Sequence, residues 1–80
     1  MTAPLVDFNY WITAAREDLQ RRRNFRSTTA QADYLRLATT SLSRALSAAN
    51  RLRDARRRSL CMRALNWVRT DLNQITRSAA

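Results

Sequence analysis

Residues 34–52 read YLRLATTSLSRALSAANRL, and this stretch decides the fold. Its apolar residues recur at alternating intervals of three and four, the spacing that places side chains on one face of an α-helix. The stripe consists of Leu35, Ala38, Leu42, Ala45, Ala49 and Leu52, and Leu46 widens it. Because large side chains alternate with small ones, we expect other helices to approach this one closely.

Two further stripes have the same spacing. They are Leu5, Phe8, Ile12, Ala15 and Leu19, and then Cys61, Leu65, Val68, Leu72 and Ile75. The chain has no glycine and a single proline, Pro4. β-Hairpins usually need residues that tolerate positive φ, so this composition favours an all-α protein. The sequence predicts three helices, at about residues 7–23, 29–51 and 56–77.

Capping signals suggest where the first two helices begin and end. Asp7 suits the N-cap of the first helix, although Pro4 also permits a start at the first helical position. Asn24 suits a left-handed residue after that helix. Thr28 followed by Gln31 matches a capping box for the second helix.

The boundary between the second and third predicted helices contains neither glycine nor proline. Asn50 suits the end of one helix, and Asp54 or Ser59 suits the start of the next. One helix over residues 29–77 is the alternative. Its two apolar stripes would point roughly a quarter to a third of a turn apart, so we expect a break within residues 51–58.

Eighty residues make one domain at most. We predict a single helical domain over residues 1–80, folded as a small antiparallel bundle of three helices. The alternative is a helical hairpin whose long second helix dimerises. A chain this short buries only about 60% of its unfolded surface, which favours oligomers, and we expect a homodimer.

Charge is the strongest functional signal. Fifteen arginines against six acidic residues give a net charge of +9, and lysine is absent. Arginine presents a planar donor fork to carboxylates and phosphates, so the excess predicts attraction to acidic protein, nucleic acid or anionic lipid. The lack of lysine fits biased coding in a GC-rich genome, and we expect a bacterial or phage origin.

The arginines concentrate in two clusters. The first cluster is Arg21, Arg22, Arg23 and Arg26, and the second cluster is Arg51, Arg53, Arg56, Arg57 and Arg58. Positive charge at a helix C-terminus accounts for part of each cluster. Both lie at predicted connections, so the bundle would place them at opposite ends. The second cluster exceeds what a helix terminus needs, and we predict that it binds the partner.

More apolar side chains are present than three stripes can bury. Tryptophan and tyrosine near arginine are typical of interface hot spots. We therefore predict that Tyr10, Trp11 and Trp67 anchor the partner, with Arg63 beside them. The simpler alternative is that Trp11 and Trp67 close the ends of a small core.

Catalysis and metal binding lack the residues they need. The chain has no histidine, no glycine for a phosphate loop and one cysteine, Cys61. We predict no enzyme activity, no cofactor and no metal site, with Cys61 as a small buried residue. Without a signal peptide or a long apolar span, the sequence predicts a soluble cytoplasmic protein.

These observations favour a small interaction protein that binds an acidic surface of a protein partner and modulates it, for example by inhibition. The alternative is a nucleic-acid-binding protein that uses the same arginines. A helix-turn-helix would then read bases through Arg63, Asn66, Arg69, Thr70 and Asn73. A membrane-surface role is less favoured, because each apolar stripe is needed for the fold.

Overall fold

A computed structural model of the protein describes the backbone of residues 3–79 and the side chains of residues 3–77. The chain forms three α-helices, namely α1 (Pro4–Arg22), α2 (Thr28–Leu52) and α3 (Ala55–Ala79). No strand occurs within the described residues. The predicted all-α class and three-helix architecture are confirmed.

The helices run antiparallel in chain order. Phe8, near the start of α1, packs with Ala48 near the end of α2 and with Cys61 near the start of α3. At the opposite end, Leu19 and Ile75 pack against the cluster that contains Leu35. The bundle measures 41 × 18 × 16 Å along its principal axes, as expected for helices of this length lying side by side.

The central helix is α2, as the width of its stripe suggests. It packs along both α1 and α3, whereas no Cα pair between α1 and α3 lies within 8 Å among the described residues. Leu35, Ala38, Ala45 and Ala49 are fully buried. The stripe of α2 is therefore covered by the chain's own helices, one on each side.

The connection between α2 and α3 consists of Arg53 and Asp54 alone. Arg53 is left-handed, with φ 55° and ψ 36°, and it is the only positive-φ residue within the described part of the chain. The backbone N–H groups of Arg53 and Asp54 donate to the carbonyls of Asn50 and Ala49, at 3.1 and 3.2 Å. This is the hydrogen-bond pattern of a Schellman motif, with arginine where glycine is usual.

The predicted break within residues 51–58 is thus confirmed, and Asp54 caps α3. Its carboxylate accepts a hydrogen bond from the backbone N–H of Arg57 at 3.1 Å. A single helix over residues 29–77 is wrong, and so is the hairpin with one long second helix. The homodimer stays a prediction.

The N-cap predicted for the first helix is wrong, whereas the alternative start at Pro4 is confirmed. α1 begins at Pro4, and Ala3 precedes it without a side-chain cap. Asp7 lies in the first turn, where its carboxylate accepts a hydrogen bond from Arg51 at 2.8 Å. Local sequence suggested a cap, but an arginine 44 residues away binds this carboxylate instead.

The predictions around the first connection also need correction. Ser27, and not Thr28, is the N-cap of α2, and its hydroxyl accepts a backbone N–H of the first turn at 3.4 Å. The side chain of Gln31 donates to the carbonyl of Phe25 at 2.6 Å. Asn24 is not left-handed. The chain turns here through irregular backbone that Gln31 ties down.

The Asp54 cap predicts how stability changes with pH. Hydrogen bonds from Arg57, above all from its backbone N–H, hold the pKa of the Asp54 carboxyl below its usual value. A lowered pKa in the folded state stabilises the fold above the unfolded pKa of about 3.9, and this stabilisation is lost as pH falls through the folded pKa. We expect the urea midpoint to fall as the pH drops below about 5. Asp54→Asn retains a good N-cap and should flatten this profile, and equally steep profiles would contradict the assignment.

Candidate functional site

Four ion pairs lie within the described residues. They are Arg22–Asp71, Arg36–Asp33, Arg51–Asp7 and Arg57–Asp54. Most of the fifteen arginines therefore have no carboxylate within 4 Å in the described part of the chain. Since arginine stays protonated, the excess positive charge faces solvent.

The second arginine cluster lies where α2 meets α3, and it divides into two groups. Arg51 and Arg57 already have partners within the chain, because each pairs with a carboxylate and the guanidinium of Arg57 also lies 5.4 Å from the Phe8 ring centroid. Arg53, Arg56 and Arg58 are exposed and have no carboxylate partner among the described residues. Within the cluster, only this second group can bind carboxylates of a partner without first breaking an ion pair of the fold.

The first arginine cluster lies at the opposite end, in the last turn of α1 and the connection that follows it. Arg22 is half-buried there, pairs with Asp71 and lies 5.8 Å from the Trp67 ring centroid. It therefore connects α1 to α3. The other three arginines of the cluster are exposed.

The three predicted aromatic anchors do not share one surface. Trp11 is half-buried against the Phe8 cluster, and the guanidinium of Arg44 lies 4.5 Å from its ring centroid, so it joins α1 to α2. Tyr10 is 64% exposed on the outer side of α1 and meets the Trp11 ring edge-on at 4.8 Å. Trp67 is 52% exposed on α3.

A groove lies between α1 and α3 near the second cluster. It has a volume of about 370 Å³ and is lined by Phe8, Ile12, Arg16, Asp54, Arg56, Arg57 and Leu60. A second depression of about 510 Å³ adjoins it on α3 and is lined by Ala55, Arg56, Ser59, Leu60 and Arg63. The two share Arg56 and Leu60, so they form one surface, which we call the α1–α3 groove.

The α1–α3 groove exists because α1 and α3 both pack onto α2 while their backbones stay apart. Its floor is apolar, with Phe8, Ile12 and Leu60, and its rim carries guanidinium groups. Of the acidic residues only Asp54 lines it, and that carboxylate already pairs with Arg57. The groove therefore combines apolar surface with a strongly positive edge.

One face of α3 borders the groove at Arg56, Leu60 and Arg63 and continues beyond the groove to Trp67. Arg56, Leu60, Arg63 and Trp67 follow one another at intervals of four, three and four, which places them along one side of the helix. Leu60 is 51% exposed. Arg56, Arg63 and Trp67 are among the residues predicted to bind the partner, whereas Leu60 and Arg16 are not. The regular spacing pointed to Leu60, whereas Arg16 is brought near only by the packing of α1.

Other kinds of site have little support in the described residues. Cys61 is fully buried, as predicted, and burial raises the pKa of its thiol. No group of three possible metal ligands gathers among residues 3–77. None of the helices in the described part of the chain is both long and apolar enough to cross a bilayer.

Comparisons with protein-family models, with curated proteins and with solved structures find no match to this chain. The charge and geometry of the α1–α3 groove are therefore the basis for inferring a function.

Proposed function

We propose that the protein is a small, non-enzymatic interaction protein that binds an acidic surface of a protein partner and thereby modulates that partner. The observation that carries this proposal is the α1–α3 groove, where unpaired arginines adjoin exposed apolar side chains. Interfaces between proteins combine these two features, with aromatic and aliphatic anchors surrounded by arginine. If the partner needs this acidic surface for another contact, a protein bound there would inhibit the partner.

Arg53, Arg56 and Arg58 supply the electrostatic part of this mechanism. They project from one end of the bundle without internal carboxylates, and the chain as a whole carries a net charge of +9. Such a charge accelerates the encounter with an acidic protein and makes the association rate depend on salt. Leu60 and Trp67 then supply apolar surface that is removed from water on binding.

Nucleic-acid binding is the second candidate, because the same exposed arginines would also attract phosphates. A helix-turn-helix does not describe this chain. That motif joins two helices at about 90–120° through a turn of three or four residues, whereas α2 and α3 lie antiparallel across two residues. Binding would therefore rest on charge alone, without a helix placed to read bases.

A matched pair of triple variants separates the two candidates. The first combines Arg53→Gly, which keeps the left-handed turn, with Arg56→Ala and Arg58→Ala, and the second replaces Arg26, Arg69 and Arg77, which are exposed elsewhere, with one glycine and two alanines in the same way. Each exposed Arg–carboxylate pair contributes about 0.2–1 kcal/mol, so the first variant should bind the acidic partner roughly 10-fold more weakly. The second variant has the same charge but should bind nearly as well as the parent protein.

The partner is obtained by capture from a nuclease-treated bacterial extract, purified and then titrated alone against each variant. A fluorescent random duplex of about 20 base pairs is titrated in parallel between 50 and 300 mM salt. We expect the acidic protein to bind and to distinguish the two variants. Micromolar duplex binding that falls steeply with salt, and that both variants weaken equally, would establish nucleic-acid binding and overturn the proposal.

A further inference from the structure

We infer that the α1–α3 groove is the docking site for one amphipathic, acidic α-helix of the partner. The helix would lay its apolar face on Phe8, Ile12 and Leu60 and direct its flanking carboxylates at the arginines of the rim. This inference rests on the proposed function. It adds which surface of the protein binds the partner and which kind of secondary structure of the partner binds there.

The geometry of the bundle supports a helix as the occupant. α1 and α3 are parallel to each other, and both pack on α2 with their own backbones held apart. A four-helix bundle fills such a space with a fourth helix, at an interaxial distance of about 8–10 Å. Recognition of an amphipathic helix in an apolar groove follows the same packing rules.

The length of the exposed stripe on α3 also suits a helix. Leu60 and Trp67 are seven residues apart, which corresponds to about 10.5 Å along the helix axis. Each is about half exposed, at 51% and 52%, and so retains apolar surface that a partner can cover. A docked helix would meet these two side chains with residues at intervals of three, four or seven.

Charge determines which kind of helix fits. Arg16 lies on the α1 side of the groove, and Arg56 and Arg63 lie on the α3 side. None of the three has a carboxylate within 4 Å among the described residues. Carboxylates on both flanks of a docked helix would meet this rim, whereas basic flanks would be repelled.

Other occupants fit the groove less well. A second copy of this chain would bring its own +9 charge against the same arginines. A bilayer surface is flat on this scale, and it would reach Leu60 and Trp67 without reaching the groove floor at Phe8. Both remain distinguishable outcomes of the experiment.

The probe is a synthetic peptide of 18 residues, with leucine at helical spacing on one face and glutamate on both flanks. Two control peptides accompany it. One has every glutamate replaced by arginine, and the other has the same composition in scrambled order. Fluorescence anisotropy of the labelled peptide at about 50 mM salt, where exposed charges are weakly screened, measures binding. We expect the acidic amphipathic peptide to bind at least 10-fold more tightly than either control.

Substitutions on the exposed face of α3, at the groove and just beyond it, provide the second comparison. Leu60→Ala combined with Trp67→Ala should weaken peptide binding about 10-fold or more, because apolar anchors dominate such interfaces. The matched control is Leu37→Ala combined with Met62→Ala, since these side chains are exposed to 53% and 52% and line neither depression of the groove. It should alter binding less than twofold. Circular dichroism checks that all variants remain helical.

The rim is tested separately with Arg56→Gln combined with Arg63→Gln. We expect roughly 5-fold weaker peptide binding and a smaller dependence on salt, because two charge contacts are lost. Equal losses in Arg69→Gln combined with Arg77→Gln would show that overall charge, and not the groove, attracts the peptide.

Several outcomes would overturn the groove proposal. Equal binding of the scrambled peptide, or no effect of Leu60→Ala with Trp67→Ala, would do so. Self-association that this double variant abolishes would assign the groove to a second copy. Vesicle binding that depends on Leu60 would assign it to lipid.

The proposed docking site can be wrong while the proposed function is right. If the purified acidic partner distinguishes the two arginine triple variants but binds the Leu60 and Trp67 double variant at full affinity, only the docking site is wrong. If no acidic protein binds and duplex DNA does, both proposals are wrong.

Discussion

Leu35→Ala is expected to lower the free energy of unfolding by about 2–5 kcal/mol. Leu35 is completely buried in α2 and packs with Ala15, Leu42, Leu65 and Val68, which come from all three helices. Truncation removes buried methyl groups and leaves a cavity that the surrounding helices fill only in part. A domain this small has a net stability near the lower end of about 5–15 kcal/mol, so much of it would be lost.

The matched control lies two residues along the same helix. Leu37 is 53% exposed, so Leu37→Ala removes the same atoms from a site that remains in water. We expect a change within about 0.5 kcal/mol for this variant. Urea unfolding followed by circular dichroism measures both. Similar losses in the two variants would contradict the position of α2 at the centre of the bundle.

Replacement of both turn residues, Arg53 and Asp54, with alanine is expected to convert the bundle into a domain-swapped dimer. The double variant loses the N-cap of α3 and keeps a left-handed position that alanine tolerates poorly. A continuous helix over residues 28–79 removes both problems. The core contacts between α2 and α3 can then form between two chains instead of within one.

An intrachain distance distinguishes the two states. Spin labels at Thr40→Cys and Thr70→Cys, in a Cys61→Ala background diluted with unlabelled chain, report on α2 and α3. Antiparallel helices keep these positions within about 20 Å, whereas a continuous helix separates them by about 45 Å. Arg53→Gly is the control, because glycine accepts the left-handed turn and should retain the short distance. A short distance in the double-alanine variant would show that packing alone determines the turn.

The helices and the core were predictable because they follow from local periodicity. Leu35, Ala38, Leu42, Ala45 and Ala49 share a face whatever else the chain does, and all are buried. The change in stripe direction between residues 42 and 68 also predicted the break, since one straight helix cannot face two ways. The capping predictions failed where distant groups compete for the same side chain, as Arg51 does for Asp7.

The candidate site was predictable only in part. The second arginine cluster is visible in the sequence. Which of its arginines are paired is not, because Arg51 and Arg57 bind carboxylates that the fold brings to them. Trp11 and Trp67 each directly precede a residue of an apolar stripe, yet Trp11 lies between α1 and α2 and Trp67 is about half exposed to solvent.

The sequence by itself therefore determined three amphipathic helices, the residues that face the core and the excess of positive charge. The tertiary structure decided which arginines remain unpaired and that Arg16 of α1 lies across a groove from Arg56 of α3. The physical reason is one of range. Helical periodicity acts over a few residues, whereas the spacing of α1 and α3 depends on how both pack against the side chains of α2.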